Sequence, residues 1–206
     1  SLFEIIFSLF LIIIGKLLLN LNMYISLKYF NVNMPISKCI MIYNITQAGR
    51  YIPGSIWHLV GKIGYYRREK LSNKKIRNTI ILEQIMVGLG AFLFSTIFIV
   101  FMNFSIIYDF FSIHTTYLYI ILGIIGGLLL VVIIIIAFNW NKAKEIIDLI
   151  KSNKNLNIMF FIIQFFVWLS FGLSFFFVVR NFTEGVTYIT YIIGIYSAGF
   201  LAGYSV

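Results

Sequence analysis

A chain of 206 residues that is 61% hydrophobic and only 11% charged carries more apolar surface than a soluble core can hide. The excess has to face lipid, which makes this an all-α, polytopic membrane protein, with 22 Phe and 13 Tyr to serve core and interfaces. The net charge of +9 lies between apolar runs and forms no basic domain, so it speaks for membrane topology and anionic lipid and against nucleic acid.

The single cysteine, Cys39, excludes an intrachain disulfide, and no Cys/His cluster calls for a metal or a cofactor. The whole of 1–206 reads as one transmembrane domain. It begins with Ser1 and stops in an apolar run, which reads as a piece cut from a longer chain at both ends. Residues 1–19 lack the basic start and the small-residue cleavage site of a signal peptide.

A spanning helix needs about 20 mostly apolar residues. The first such run covers about 3–27 and contains Lys16, which reads as a snorkelling or bundle-paired lysine. The next segment, 36–68, is interrupted and is treated below. A second span is expected at about 79–102, a third at 117–138, a fourth at 156–179 and a fifth from about 187. Ser72 is placed to cap a long helix entering the second span. Gly199 and Gly203, and Gly123, Gly126 and Gly127, stand at spacings that let helices approach closely.

The connections alternate in charge. Residues 61–78 carry Lys62, Arg67, Arg68, Lys70, Lys74, Lys75 and Arg77 against Glu69. Residues 103–116 carry Asp109 and no Lys or Arg. Residues 139–155 carry Lys142, Lys144, Lys151 and Lys154 against Glu145 and Asp148, and 181–186 carry Glu184. The positive-inside rule puts the first and third of these in the cytoplasm, as a basic loop at 61–78 and an amphipathic surface segment at 139–155. The alternation implies several successive membrane crossings.

The chemistry concentrates at 47–58. Pro53 removes a backbone donor and pushes the residue before it out of the helical region, and Gly54 accepts backbone angles that other residues avoid. A helix should therefore break between Tyr51 and Gly54 and restart near Ser55, which can cap it. Broken helices are tolerated at membrane depth only inside protein or beside a water-filled cavity. The restarted helix would aim its positive end at the break, Arg50 would add a bidentate anion partner, and His58 would follow about one turn on. This combination suits a phospholipid or polyprenyl-phosphate head group. Glu83 is the expected partner for a buried Arg50, and such a pair would serve equally well as a purely structural lock. The segment 36–68 either crosses the bilayer or re-enters it, and Lys28 and Lys38 favour re-entrance. His58 and His114 read more simply as hydrogen-bonded or interfacial residues than as ligands.

The run Arg50-Tyr51-Ile52-Pro53-Gly54-Ser55-Ile56-Trp57-His58-Leu59-Val60-Gly61-Lys62 resembles the Tyr-x-Pro-Gly-x-hydrophobic-Trp signature of the lysylphosphatidylglycerol synthase transmembrane region, the flippase-like family. Ile81-Leu82-Glu83-Gln84-Ile85, and the run from Tyr196 to Tyr204, are similar to that family as well. Family members usually continue into a Pro-Gly-Gly-x-Gly-x-Arg-Glu motif, which this chain stops short of. The resemblance implies a polytopic protein that binds or moves lipid, with Arg50, Tyr51, Pro53, Gly54, Trp57 and Glu83 at its site. It implies membrane lipids as partners, either an anionic phospholipid or a polyprenyl-phosphate-linked substrate, and a neighbouring glycosyltransferase or lipid-modifying enzyme. No catalytic constellation accompanies the motif, so transport is the expectation. A membrane-embedded transferase acting on lipid-linked sugars, or a non-catalytic scaffold for an envelope enzyme, stands as the alternative.

Overall fold

A computed structural model of the chain describes residues 2–53, 56–98, 144, 148, 151–180, 182 and 189–204. These residues are overwhelmingly helical, and there is no strand among them. The expected span at 117–138, the connection at 103–116, most of the segment at 139–155, and Gly54 and Ser55 lie outside the described residues. Within 139–155, Lys144, Asp148, Lys151 and Ser152 are helical and exposed.

Six α-helices are described: α1 (Leu2–Tyr29), α2 (Ile36–Gln47), α3 (Trp57–Arg68), α4 (Asn73–Thr96), α5 (Lys154–Arg180) and α6 (Ile189–Tyr204). A 3₁₀ turn, Ala48–Tyr51, follows α2 directly. Helices α1, α4 and α5 have 28, 24 and 27 residues. At 1.5 Å per residue they run about 36–42 Å, against a hydrocarbon core of about 30 Å. All three are long and apolar enough to cross a membrane.

These long apolar helices turn large hydrophobic side chains outward and bury several polar ones. Leu9, Phe10, Ile13 and Leu17 of α1, Ile85, Leu89 and Phe92 of α4, and Phe161, Ile162, Phe165 and Phe166 of α5 are exposed. Asn20, Asn22, Ser26, Thr79, Glu83, Gln164, Ser170 and Ser174 are buried. A soluble bundle places these classes the other way round. Several buried hydroxyls are satisfied by their own helix, as where Ser26 donates to the Met23 carbonyl at 2.9 Å and Thr46 to that of Ile42 at 2.8 Å. Buried Trp168 donates its indole N–H to Gln164 one turn earlier, at 2.9 Å.

Helices α1 and α5 are antiparallel neighbours. Tyr29 bonds Asn157 at one end, Gly15 packs on the Phe171 ring in the middle, and Arg180 meets Glu4 at 3.8 Å at the other end. Helix α6 returns along α5, with Ile193 on Gly172, Tyr196 beside Phe171, and Phe200 edge-on to Trp168 at 4.8 Å. A Cβ on Gly172 would lie 2.6 Å from Ile193, so glycine sets this spacing. Gly199 and Gly203, expected at a helix contact, have no described atom within 4 Å of a Cβ position.

Two apolar clusters share α1. Ile25 and Tyr29 join Leu82, Met86, Phe160, Val167 and Trp168 in the main bundle core. Met23 and Leu27, on an adjoining face, join Cys39, Ile42, Tyr66, Ile76 and Ile80 in a second core. The α2–α3 segment is thereby seated against α1 and the start of α4.

The stretch 61–78, read from sequence as a loop, is mostly helix. Residues up to Arg68 belong to α3, a turn of four residues follows, and α4 begins at Asn73. Lys70 takes a positive φ of 57° to turn the chain. Ser72 caps α4 as expected, its hydroxyl accepting from the Lys75 amide at 3.4 Å.

Candidate functional site

Helices α2 and α3 form an antiparallel hairpin whose register can be read from four contacts. Lys38 pairs with Glu69 at 2.6 Å, the Lys62 ammonium lies 4.5 Å from the centroid of the Tyr43 ring, Gly61 packs on Thr46, and Gly49 packs on the backbone at His58. Residue numbers sum to 105–107 in every pair, so the two arms stay in step from open end to tip. The chain enters at Ile36 and leaves at Arg68 on the same side. A Cβ on Gly49 would sit 2.8 Å from the His58 amide nitrogen, so this crossing needs glycine.

The tip carries the break the sequence predicts. Helix α2 tightens into the 3₁₀ turn, Ile52 is extended at φ −88° and ψ 133°, and Pro53 turns the chain. The residue before a proline is driven to this extended region. The Trp57 indole donates to the Pro53 carbonyl at 3.0 Å and closes the turn. Helix α3 restarts at Trp57 behind Ile56, with no side-chain cap bond.

A cavity of 430 Å³ opens beside this tip. Ile12, Lys16 and Leu19 line it from one face of α1, and Tyr43, Asn44, Gln47, Ala48, Arg50 and Tyr51 from α2 and the 3₁₀ turn. Phe171 of α5 and Tyr196 and Phe200 of α6 complete it. Two cations, two amides and five aromatic rings thus share one space. Lys16 lies about 18 Å along the helix from Lys28, near the middle of a bilayer-sized span.

The predicted site residues separate into groups. Arg50 and Tyr51 line the cavity. Pro53 and Trp57 shape the tip by bonding each other. His58 is buried under Gly49, in α3 and away from the cavity lining. No α3 residue lines the cavity, and the cations that do are Lys16 and Arg50. The signal that was passed over is the periodicity of Ile12, Lys16 and Leu19, which puts Lys16 on one face with two apolar residues that also face the site.

Glu83 is paired with Lys62 and not with Arg50. Both groups are buried, at 2% and 0% exposure, and the Tyr43 ring covers the ammonium. The hairpin register explains the choice, since it turns Lys62 inward onto Tyr43 and α4. Around the pair, the Tyr66 hydroxyl, Thr79 Oγ1 and Glu83 Oε2 are buried with no hydrogen-bond partner among the described residues. This polar pocket is distinct from the cavity, although Tyr43 borders both. The described residues contain no group of three or more His, Cys, Asp or Glu placed to hold a metal.

Comparisons with models of protein families, with curated proteins and with solved structures give no match for this chain.

Proposed function

We propose that the chain is a multi-pass protein of the cytoplasmic membrane that binds an anionic lipid head group in the Lys16–Arg50 cavity and carries it across the bilayer. The observation that carries this reading is that two cations from separate parts of the sequence line one aromatic cavity at the depth of a helix break. No carboxylate is among the described lining residues. Guanidinium and ammonium groups bind phosphate through charge-assisted hydrogen bonds, and they do so most strongly where water is scarce. The rings of Tyr43, Tyr51, Phe171, Tyr196 and Phe200 suit the glycerol and acyl part of the same molecule.

The hairpin supports re-entrance. Each arm is 12 residues, about 18 Å, which is too short for a hydrocarbon core of about 30 Å. Both open ends lie with Lys38, Arg67 and Arg68, so the segment dips in from the cationic side, which the positive-inside rule assigns to the cytoplasm. The Arg50-to-Lys62 motif, with its likeness to the flippase-like family, points the same way. The ligand would be a phospholipid or a polyprenyl phosphate, and a transferase acting on lipid-linked sugars fits a cavity without a carboxylate less well.

The test is a leaflet-exchange assay on proteoliposomes carrying a fluorescent anionic phospholipid, comparing wild type with Lys16→Ala and Arg50→Ala. Each variant should slow exchange by about 10-fold or more, the value of one charge-assisted hydrogen bond. Wild-type rates in both variants would remove the cavity from the mechanism.

A further inference from the structure

The α3–α4 corner holds a second amphiphilic space, on the flank of the bundle. A groove of 580 Å³ runs between the two helices. Arg67, Lys74 and Arg77 line it near the Glu69–Ser72 turn, and Ile63, Ile80 and Ile81 line it further in. The order follows from two antiparallel helices joined by a short turn. On α3, Ile63 lies one helical turn before Arg67, and on α4 Ile80 and Ile81 follow Arg77 by one turn. Charge therefore sits at the turn end and apolar surface at the other, along a single trough.

Three features commit this trough to one occupant. Glu69, the one acid of the turn, is held by Lys38 and does not neutralise the three cations. Arg68 is engaged elsewhere, on the Tyr65 ring at 5.5 Å. At its apolar end the trough runs through Ile81 into the exposed row Ile85, Leu89 and Phe92 of α4, the face turned to hydrocarbon. A molecule lying there meets three positive charges at one end and a lipid-facing aliphatic stripe at the other.

We propose that the α3–α4 groove is a binding site for an anionic diacyl phospholipid of the leaflet at the cationic end, its phosphate on Arg67, Lys74 and Arg77 and one acyl chain along Ile80, Ile81 and Ile85. This rests on the membrane reading above but not on the Lys16–Arg50 cavity. It is a resident-lipid site that holds the hairpin's exit against α4. It is not a way station into the cavity, whose lining shares no residue with it.

The experiment is native mass spectrometry of the full chain released from nanodiscs of equal phosphatidylglycerol and phosphatidylcholine. Four proteins are compared: wild type, R67A/R77A, R67K/R77K and K70A/K75A. Both alanine pairs remove two exposed charges from the same α3–α4 corner, but Lys70 and Lys75 do not line the groove. Wild type, R67K/R77K and K70A/K75A should retain a phosphatidylglycerol in preference to phosphatidylcholine, and R67A/R77A should lose that preference by about 10- to 30-fold. Equal loss in both alanine pairs would mean diffuse surface attraction and would overturn the site. So would equal retention of the two lipids by wild type, or an acidic protein held in the lipid's place. Co-flotation with vesicles and the exchange rate of Arg50→Ala, measured in parallel, report on membrane residence and on the cavity separately. A protein that floats and exchanges lipid yet keeps no phosphatidylglycerol refutes this proposal alone.

Discussion

Lys62 and Glu83 meet out of contact with solvent, with the Tyr43 ring over the ammonium. Desolvating two charges roughly cancels their attraction, whereas removing one partner strands the other and costs about 3–5 kcal/mol. Glu83→Gln should therefore lower unfolding stability in detergent by that amount, and Lys62→Met with Glu83→Leu should recover most of it. A double variant no better than the single would mean that the pair serves more than packing. Thr79 offers the converse case, because its hydroxyl is buried without a partner among the described residues. Thr79→Val should be neutral or stabilise by about 1 kcal/mol in the same thermal assay. A clear loss would show that the hydroxyl is engaged in the working protein. None of this pairing was legible in the sequence. Lys62 counts among the basic residues of the connection 61–78 and reads as solvated, and only the hairpin register turns it inward. Arg50 and Tyr51 were legible because a proline two residues beyond Tyr51 announces a break whatever the tertiary context.

At the scale of elements, the hairpin depends on close approach near its tip. A side chain at position 49 meets the His58 backbone, which cannot move aside as a flexible side chain would. Gly49→Val should cost about 1–3 kcal/mol by overpacking and, on the proposed function, should also slow lipid exchange, since the arm that carries both Tyr43 and Arg50 would splay from α3. Ser72→Ala, at an exposed cap, should cost only about 0.5–1 kcal/mol and leave exchange untouched. If the two variants lower exchange equally, the hairpin tip has no special place in transport. The break at Pro53 and the cap at Ser72 were readable because each follows from local chemistry. The extent of α3 was not, because glycines at 61 and 64 and a basic last turn weaken its helical signal.

Among the described residues the charge is lopsided. Lys28, Lys38, Arg67, Arg68, Lys74 and Lys154 lie toward one end of the bundle, where Tyr29 meets Asn157, and Arg180 with Glu4 marks the other. If that end faces the cytoplasm, a cysteine placed there in a Cys39→Ala background will react with an impermeant maleimide only in opened cells. Lys74→Cys should behave so, and Phe182→Cys, at the opposite end, should label in intact cells. The reverse pattern would invert the topology. Hydropathy alone located α1, α4 and α5, since runs of that length have few other homes, and α4 begins ahead of its apolar span, at the expected Ser72 cap, because its first turns are cationic.

The bond between Tyr29 and Asn157 joins residues 128 positions apart, and α1 finds its longest neighbour only in α5. At roughly 5–20 residues per second, a ribosome needs on the order of 6–26 s to deliver that neighbour. During this interval α1 must dwell in the bilayer with Asn20 and Asn22 still in want of shelter, and of the described helices α2, α3 and α4 arrive early enough to screen it. Biogenesis should thus pass through a half-built sheaf of the first four helices, open along one flank. Slowing translation between 98 and 151 should lengthen that stage and increase degradation of the nascent protein.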